Sequence, residues 1–419
     1  MTFTRRDFLK TGGAAVTVSF LAPRLAFPSS MQRDRILVIL QLAGGNDGIN
    51  TFIPYTDARY RSARPTLAIP DADILKVDSQ LGFHPSMAEL AELYQQRRFT
   101  FVNHVGFGSL DRSHFHCQDI WQTGLETHQA HGNHSRTGWL GRWADQQLGF
   151  DPGPLAALSV GSRIPLGMTA EEIVPAAISN LDSFAIPTGT QLPGDRDAFL
   201  ATLENVWMNG HAHSGHHDVR RIGADLFDSI ELLESAPEPS QTAGYPTTAL
   251  ARGLQLVAQV LAGGYGTRIV WVTTGGYDTH SAQGPTHAAL LGDVSRALGA
   301  FQRDLDERQL ADRTVVMAWS EFGRRVAENG SAGTDHGRGN TVFLLGNAVK
   351  GGTFYGDAPN LGILEDGDLP VHVDFRSVYW TLIQDWLGGD PEAVLMGRYE
   401  NLGFLAAPEP VRTRRVRRG

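Results

Sequence analysis

Acidic residues follow three short apolar stretches of the sequence, and carboxylate side chains are suited to binding metal ions. Asp47 follows the first stretch, Asp278 and His280 follow the second, and Glu321 follows the third. Divalent metals bind carboxylates together with imidazoles. Because carboxylates that are brought together repel one another, a cation is the simplest compensation. We therefore predict that these residues bind a divalent metal ion.

Each of these segments also has a simpler interpretation on its own. Asp47 lies in Gly-Gly-Asn-Asp-Gly, whose residues suit a plain turn because they tolerate positive φ. Asp278 could cap a helix through its side chain, and Glu321 could pair with the nearby Arg324. The metal interpretation therefore depends on the three segments meeting at equivalent strand ends.

The glycine-rich segment 333–340 contains two further candidate ligands, Asp335 and His336. Glycine-rich loops approach ligands closely. This one leads directly into an apolar run, so His336 is expected where the loop meets the sheet. A tight turn is the alternative interpretation.

Ser113 lies where a nucleophile would be activated. The segment 109–116 opens a predicted helix that ends near Gly124. A hydroxyl at a helix N-terminus meets backbone N–H groups and the positive end of the helix dipole, which stabilise an anion and assist deprotonation. Helix capping is the alternative. The next residue, His114, belongs to a group of histidines whose members could orient a substrate or act as a general acid; the others are His104, His116, His128, His131 and His134.

Five apolar runs must position these groups. They lack alternation, as expected for parallel strands that are covered on both faces. Between them, apolar residues at helical spacing from Leu291 to Leu305 predict a helix. Alternating strands and helices predict an α/β fold, in which ligands bind beyond the carboxyl ends of the strands. The predicted strands are 35–41, 99–103, 268–274, 313–319 and 341–345, and further helices are predicted near 86–97, 195–208, 218–234, 249–263 and 375–387.

The stretch from 150 to 245 differs from the rest in its content of Gly, Pro and Ser. We predict an insertion that caps the active edge of the sheet. Its histidines His211, His213, His216 and His217 lie on a predicted loop and are interpreted as a solvated or adventitious metal-binding stretch.

The first 27 residues are typical of a signal peptide. Arg5 and Arg6 precede Asp-Phe-Leu-Lys, an apolar run covers about 12–22, and small residues surround Ala26. The paired arginines resemble a twin-arginine (Tat) signal. A membrane-anchoring helix or a chance pair is the alternative, but the run is short and rich in Gly and Ala. We predict export by the Tat machinery, a periplasmic or secreted mature protein, and no stable membrane insertion after cleavage.

Composition excludes several classes of protein. A hydrophobic fraction of 42% argues against disorder, and the single cysteine, Cys117, excludes a disulfide scaffold. The formal net charge of −9 argues against a nucleic-acid partner. Five arginines lie in 409–419, which we predict to be a solvated, disordered tail.

Taken together, the motifs resemble the bacterial family called domain of unknown function 1501, which belongs to the alkaline phosphatase-like superfamily with its sulfatases and phosphomutases. The resemblance implies a three-layer α/β/α sandwich over 28–408, with a mostly parallel central sheet and an inserted cap. The segments that carry it are 41–50, 112–115, 278–280, 320–324, 328–330, 333–337, 348–352, 355–356 and 369–376.

The resemblance also implies roles for individual residues. The superfamily's first-strand Asp matches Asp47, its nucleophile matches Ser113, and its late metal-binding His matches His336. Its second metal-binding pair matches Asp278 and His280, with His287 as an alternative. Phe322 stands where the superfamily has a ligand, so one metal ligand is lost or is replaced by Asn46, Asp335 or His114.

The implied activity is metal-dependent hydrolysis of a phosphate or sulfate ester, carried by a small molecule or a glycan. One or two divalent ions are expected, with Zn, Mg, Mn and Ca not distinguished. Ser113 would attack the ester, and Arg112 or Arg324 would clamp its oxygens. The alternative is a non-catalytic exported protein that uses a degenerate metal site to bind an envelope glycan or protein partner. A phosphomutase-like transferase ranks lower.

Overall fold

The structure is a computed structural model, and it describes residues 34–108, 111–126, 136–149, 152–179, 225, 228–230 and 232–406. Several sequence predictions lie outside these residues. They are the signal peptide at 1–27, the tail at 409–419, the helix at 195–208, most of the helix at 218–234, and His128, His131, His134, His211, His213, His216 and His217.

One large sheet organises the described part of the chain. Its strand order is β11-β5-β10-β9-β1-β8-β6-β7, and β12 also pairs with β5. A small second sheet has the order β2-β4-β3. The strands are β1 (Ile36–Ala43), β2 (Phe52–Ile53), β3 (Leu75–Lys76), β4 (Gly82–Phe83), β5 (Phe99–Gly106), β6 (Ala157–Val160), β7 (Ala176–Ile178), β8 (Ile269–Gly275), β9 (Thr314–Trp319), β10 (Asn340–Leu345), β11 (Phe354–Tyr355) and β12 (Val373–Asp374).

Helices cover both faces of the large sheet. The α-helices are α1 (Gly48–Thr51), α2 (Ala58–Ala63), α3 (Ala88–Gln95), α4 (His114–Thr123), α5 (Trp139–Gln147), α6 (Ala249–Gly263), α7 (Gln283–Glu307), α8 (Phe375–Thr381) and α9 (Pro391–Leu395). Short 3-10 turns cover Leu166–Met168 and Ala311–Arg313, and α8 continues as π-helix over Leu382–Leu387.

Alternation along β1 divides the core between the two faces. Val38 and Leu40 pack in the cluster that contains residues of α3, α6 and α7. Leu37 and Ile39 pack in the cluster that contains residues of α4, α5 and α8. The predicted α/β/α layering, with a mostly parallel sheet, is therefore confirmed.

The direction of one predicted strand was wrong. The run at 341–345 was expected to be parallel, but β10 runs antiparallel to both β5 and β9. A parallel connection from β9 would need a crossover back to the opposite edge. The chain instead goes from Trp319 to Asn340 along the carboxyl edge and returns from there.

The range predicted as a cap insertion contributes to the sheet itself. Strands β6 and β7 lie within 150–245 and pair in parallel with each other, and β6 pairs with β8.

In the part of the chain that the structure describes, no helix is long and apolar enough to cross a membrane.

Candidate metal centre

Four loops bring the candidate residues to one edge of the large sheet. Strands β1, β5, β8 and β9 all end at this edge, and β10 begins there because it is antiparallel. The turn after β1 needs glycine at Gly44, which has φ +122°, because a Cβ there would lie 2.4 Å from the backbone nitrogen of Asp278. The polar segments predicted from sequence therefore meet, although they are far apart in the chain.

Three histidines and one carboxylate form the centre of the site, and we call His114, His280, His336 and Asp278 the His–Asp cluster. Ligand atoms of His114, Asp278 and His336 all lie within 4.8 Å of one another. Asp278 Oδ1 lies 3.1 Å from His336 Nε2 and 3.1 Å from His280 Nε2. Asp278 Oδ2 lies 3.4 Å from His114 Nε2. The two Nε2 atoms of His280 and His336 are 3.0 Å apart.

Each ring of the His–Asp cluster is held by an oxygen at its other nitrogen. His114 Nδ1 lies 2.8 Å from Glu321 Oε1, and His280 Nδ1 lies 3.0 Å from Asp335 Oδ1. His336 Nδ1 lies 2.9 Å from the carbonyl oxygen of Arg112. Because these oxygens accept hydrogen bonds, they favour the tautomer with the proton on Nδ1 and the lone pair on Nε2. Metal-binding histidines have this arrangement.

The surroundings of Asp278 and His336 favour an ionised carboxylate beside a neutral ring. Burial raises the pKa of Asp278, but the hydrogen bond and the charge of the Arg324 guanidinium outweigh it and hold the pKa well below its usual range. Burial lowers the pKa of His336, against the opposing effect of Asp278 and the Arg112 carbonyl. A donor set of imidazole nitrogens with one carboxylate suits zinc and neighbouring transition metals better than Mg or Ca, which prefer oxygen ligands. The residues present therefore fit a metal ion.

Glu321 and Asp335 were predicted as ligands, but the structure places both behind the histidines. Glu321 is fully buried, and its Oε1 accepts from His114 Nδ1, from the Gly44 backbone nitrogen at 2.9 Å and from Gln118 Nε2 at 3.1 Å. Asp335 Oδ1 is bonded to His280 Nδ1. Both carboxylates therefore orient an imidazole, and the sequence does not separate this role from direct binding.

Asp47 was also predicted as a ligand, but it lies in a buried ion pair. Its Oδ1 accepts from Arg64 Nη2 at 2.9 Å and its Oδ2 from Arg64 Nη1 at 2.5 Å. Burial raises the pKa of Asp47, and the Arg64 guanidinium outweighs this and lowers it overall. The cation that compensates this carboxylate is therefore an arginine. No pattern in the sequence signals Arg64 as its partner.

The alternative ligands His287 and Asn46 bond to each other, at 3.0 Å between His287 Nε2 and Asn46 Oδ1. His287 is buried in α7, and burial lowers its pKa to about 4. The structure thus places both residues in a buried polar network under the site and outside the His–Asp cluster.

Arg324 was predicted to clamp substrate oxygens, but the structure uses its guanidinium within the protein. The side chain has no exposed surface. Its nitrogens donate to four backbone carbonyls and, at 2.7 Å, to Asp278 Oδ1. The carbonyls belong to Gly44, Gly45, Tyr277 and Thr334. Arg324 therefore fixes three site loops and Asp278 in place, which makes it a positioning residue.

Ser113 and Arg112 lie beside the His–Asp cluster. Ser113 is the exposed N-cap residue of α4, yet its hydroxyl makes no capping hydrogen bond. Its backbone nitrogen donates to Asp111 Oδ1 at 2.8 Å. Arg112 contributes its carbonyl to His336 and pairs through Nη2 with the buried Asp368. Side-chain capping, the alternative for Ser113, is not what the structure shows.

Phe322 and Gln283 complete the surroundings of the site. The Phe322 ring lies 4.9 Å from the His114 ring and 4.3 Å from the His336 ring, centre to centre, so it forms an apolar wall of the site. Gln283 Oε1 accepts from Thr279 Oγ1 at 3.1 Å and from Thr334 Oγ1 at 2.6 Å, which ties two site loops together. Sequence reasoning missed Gln283, because nothing in its helical context distinguishes it.

Comparisons with known proteins identify a family and a set of distant structures. The family described as "Protein of unknown function (DUF1501)" matches residues 34–375. No curated protein matches the chain. Similar solved structures include the phosphonate monoester hydrolase SpPMH from Silicibacter pomeroyi, with 11% identity, 87% of this chain and 76% of that chain covered, and a TM-score of 0.40.

Two other structures show the same range of similarity. The PsFucS1 sulfatase from Pseudoalteromonas sp. is 11% identical, with 89% of this chain and 72% of that chain covered and a TM-score of 0.39. The alkaline phosphatase from the Antarctic bacterium TAB5 is 10% identical, with 77% of this chain and 94% of that chain covered and a TM-score of 0.32.

Proposed function

The chain belongs to the DUF1501 family, and from the site that it carries we propose that it is a metal-dependent hydrolase of phosphate or sulfate esters. The observation that carries the proposal is the His–Asp cluster, in which three imidazoles point Nε2 toward one carboxylate while an oxygen holds each Nδ1. This arrangement supports metal binding by His114, His280, His336 and Asp278. Glu321, Asp335 and the Arg112 carbonyl would orient the three rings by accepting hydrogen bonds from their Nδ1 atoms.

Hydrolysis needs an electrophilic centre and a nucleophile beside it. A bound divalent transition metal supplies Lewis-acid polarisation of the ester and a lowered pKa for an oxygen nucleophile. Ser113 is the proposed nucleophile, because its exposed hydroxyl is not used in capping and the next residue belongs to the His–Asp cluster. Its oxygen would bond to phosphorus or sulfur as the alcohol leaves. Water would then release the oxyanion and restore the hydroxyl.

The test is hydrolysis of aryl phosphates and aryl sulfates by purified protein, before and after chelation. We expect turnover of at least one ester class that chelation abolishes and Zn²⁺ or Mn²⁺ restores. Ser113→Ala should lose turnover and retain the metal, whereas Ser179→Ala, outside the site, should retain both. An absence of metal-dependent turnover on every ester would overturn the proposal.

A non-catalytic role is the second candidate, and Phe322 is the observation that favours it. Its ring fills a position where the superfamily has a ligand, which leaves one set of metal ligands among the described residues. In that role the metal site would bind an envelope glycan or protein partner. Binding that survives Ser113→Ala, with no turnover by the parent protein, would support this candidate.

Export is a separate proposal that rests on the sequence alone. We propose that the Tat machinery recognises Arg5 and Arg6 and carries the protein to the periplasm or out of the cell. Replacing both arginines with lysine should leave the protein in the cytoplasmic fraction. Unchanged fractionation of that variant would contradict the proposal.

A further inference from the structure

A cavity lies where strands β1, β8 and β9 begin, at the opposite edge of the sheet from the His–Asp cluster. Its volume is about 120 Å³, and its wall includes Ile36 of β1, Thr267 and Arg313 just before β8 and β9, and Leu261 near the end of α6. An apolar protein cavity of about 150 Å³ takes up benzene. This cavity therefore has room for a small organic molecule.

Two polar groups of the cavity wall lack a hydrogen-bond partner. The hydroxyl of the buried Thr267 makes no hydrogen bond, and neither does the buried Nε atom of Arg313. In the part of the chain that the structure describes, no carboxylate pairs with the Arg313 guanidinium. Buried polar groups in folded proteins are nearly always paired. Because the guanidinium can only donate and the hydroxyl can also donate, the missing partner is an acceptor.

The charges around the cavity favour an anion. Arg268 also lines it, and its nitrogens donate to two neutral backbone carbonyls, those of Arg35 at 2.6 Å and Leu387 at 3.3 Å. Asp34 is the acidic residue of the wall, and it is exposed, so water and salt screen its charge. Two guanidinium groups therefore face one exposed carboxylate, which leaves the cavity with a net positive charge.

The other side of the cavity is apolar. Ile36 and Leu261 are each 3% exposed and belong to the core cluster that packs between the sheet and α6. Binding sites for small molecules combine such apolar walls with a few polar groups that fix the orientation of the ligand. A ligand that matches this wall has an anionic end and a short hydrocarbon part.

From this arrangement we infer that the cavity binds a small organic carboxylate of the size of acetate or propionate. A guanidinium edge donates two parallel N–H bonds to a carboxylate, which would pair Arg313 Nε, and the Thr267 hydroxyl would donate to the same group. The hydrocarbon part would contact Ile36 and Leu261. This site is separate from the metal centre, so the inference goes beyond the proposed function and does not depend on it.

The experiment is calorimetric titration of the purified protein with sodium propionate and with sodium formate. We expect saturable binding of propionate and weaker binding of formate, which lacks the hydrocarbon part. Arg313→Met should weaken propionate binding roughly tenfold or more, the range expected for a charged hydrogen bond. Arg313→Lys should restore only part of the affinity, because it returns the charge without the Nε donor. Thr267→Val, which has the same shape, should weaken binding about twofold to tenfold.

Two control variants separate this site from general charge effects and from the metal centre. Arg296→Met removes the same charge from an exposed position on α7, outside the cavity. His336→Ala removes a ligand of the proposed metal centre at the opposite edge of the sheet. Both should bind propionate within about twofold of the parent affinity. Thermal unfolding of every variant verifies that it is folded.

Four results would each overturn the inference. The parent protein may show no saturable binding of propionate, or it may bind formate as tightly. Arg296→Met or His336→Ala may lose as much affinity as Arg313→Met, which would place the anion elsewhere. A crystal grown in propionate may show only water in the cavity, whereas the inference requires the carboxylate against Arg313 and Thr267.

Discussion

The Nε2 atoms of His280 and His336 face each other at 3.0 Å, although an oxygen holds the Nδ1 atom of each ring. With both Nδ1 atoms protonated, two nitrogen lone pairs point at one another and at the Asp278 carboxylate. Such a contact is unfavourable unless a cation lies between the groups. The relationship between these two residues is therefore the main structural argument for a metal ion.

Removal of one imidazole from the His–Asp cluster should greatly weaken metal binding. We expect His336→Ala to lower the affinity for Zn²⁺ by more than roughly 10–100-fold, which is the typical effect of removing a group that only hydrogen-bonds to a metal ligand. Competition titration with a chromogenic chelator measures this. His372→Ala is the control, because His372 pairs with Asp357 outside the cluster. Equal affinities of the two variants would contradict the ligand assignment.

Glu321 should contribute to metal affinity without binding the metal. Glu321→Gln keeps the shape of the side chain but removes the charge that holds the proton on His114 Nδ1, so Zn²⁺ affinity should fall roughly 10–100-fold. Glu392→Gln, at an exposed ion pair, should leave it unchanged. A complete loss of binding in Glu321→Gln would instead indicate that Glu321 is a direct ligand.

The buried pair of Arg64 and Asp47 should matter for stability. Arg64→Met leaves a buried carboxylate without its cation, which typically costs about 3–5 kcal/mol of the free energy of unfolding. The control is Arg61→Met in helix α2, which ends just before Arg64; the exposed pair of Arg61 with Asp71 should contribute about 1 kcal/mol or less. Urea denaturation of the chelator-treated proteins compares them. Similar values would contradict the assignment of Arg64 as the cation that compensates Asp47.

Two buried histidines should make the metal-free protein sensitive to mild acid. Burial lowers the pKa of His287 to about 4 and that of His84 to about 4. Because an unfolded histidine titrates near ~6.5, the unfolded chain takes up these protons first as the pH falls. The free energy of unfolding therefore keeps its full value above pH ~6.5. It falls as the pH is lowered from ~6.5 to 4, by up to about 3 kcal/mol for each of the two residues.

Urea denaturation of the metal-free protein at several pH values measures this loss. His287→Gln should flatten the slope between pH 6.5 and 4, because one of the two groups is then absent. Asp47 does not contribute to this slope. Because its pKa is lowered, its contribution to the free energy of unfolding is lost only at more acidic pH. An unchanged slope in the variant would show that His287 does not titrate as its burial implies.

Much of the fold follows from apolar runs that any reader of the sequence can locate. Strands β1, β8 and β9 lie within a residue or two of their predicted bounds, because strands buried on both faces are continuous apolar segments. The direction of β10 was not predictable from its composition, since a buried strand has the same residues in either direction. It follows from the path of the loop that contains His336.

The site was predictable in its position and less so in its roles. Asp278, His280 and His336 follow from polar residues at the sheet edge, and these are the residues that meet. Asp47 and Arg324 have equally suggestive positions, but their partners are distant in sequence or are backbone carbonyls. A carboxylate beside a metal and one beside an arginine have the same local sequence, so only the three-dimensional structure separates them.

Anomalous scattering from a crystal of the metal-loaded protein, recorded across the absorption edge of the bound metal, is the decisive test of the proposed metal centre. We expect a peak at bonding distance, about 2.0–2.2 Å, from the Nε2 atoms of the cluster histidines and from Asp278, with Glu321 and Asp335 behind the rings. A peak beside Asp47, or no peak among His114, His280 and His336, would contradict it.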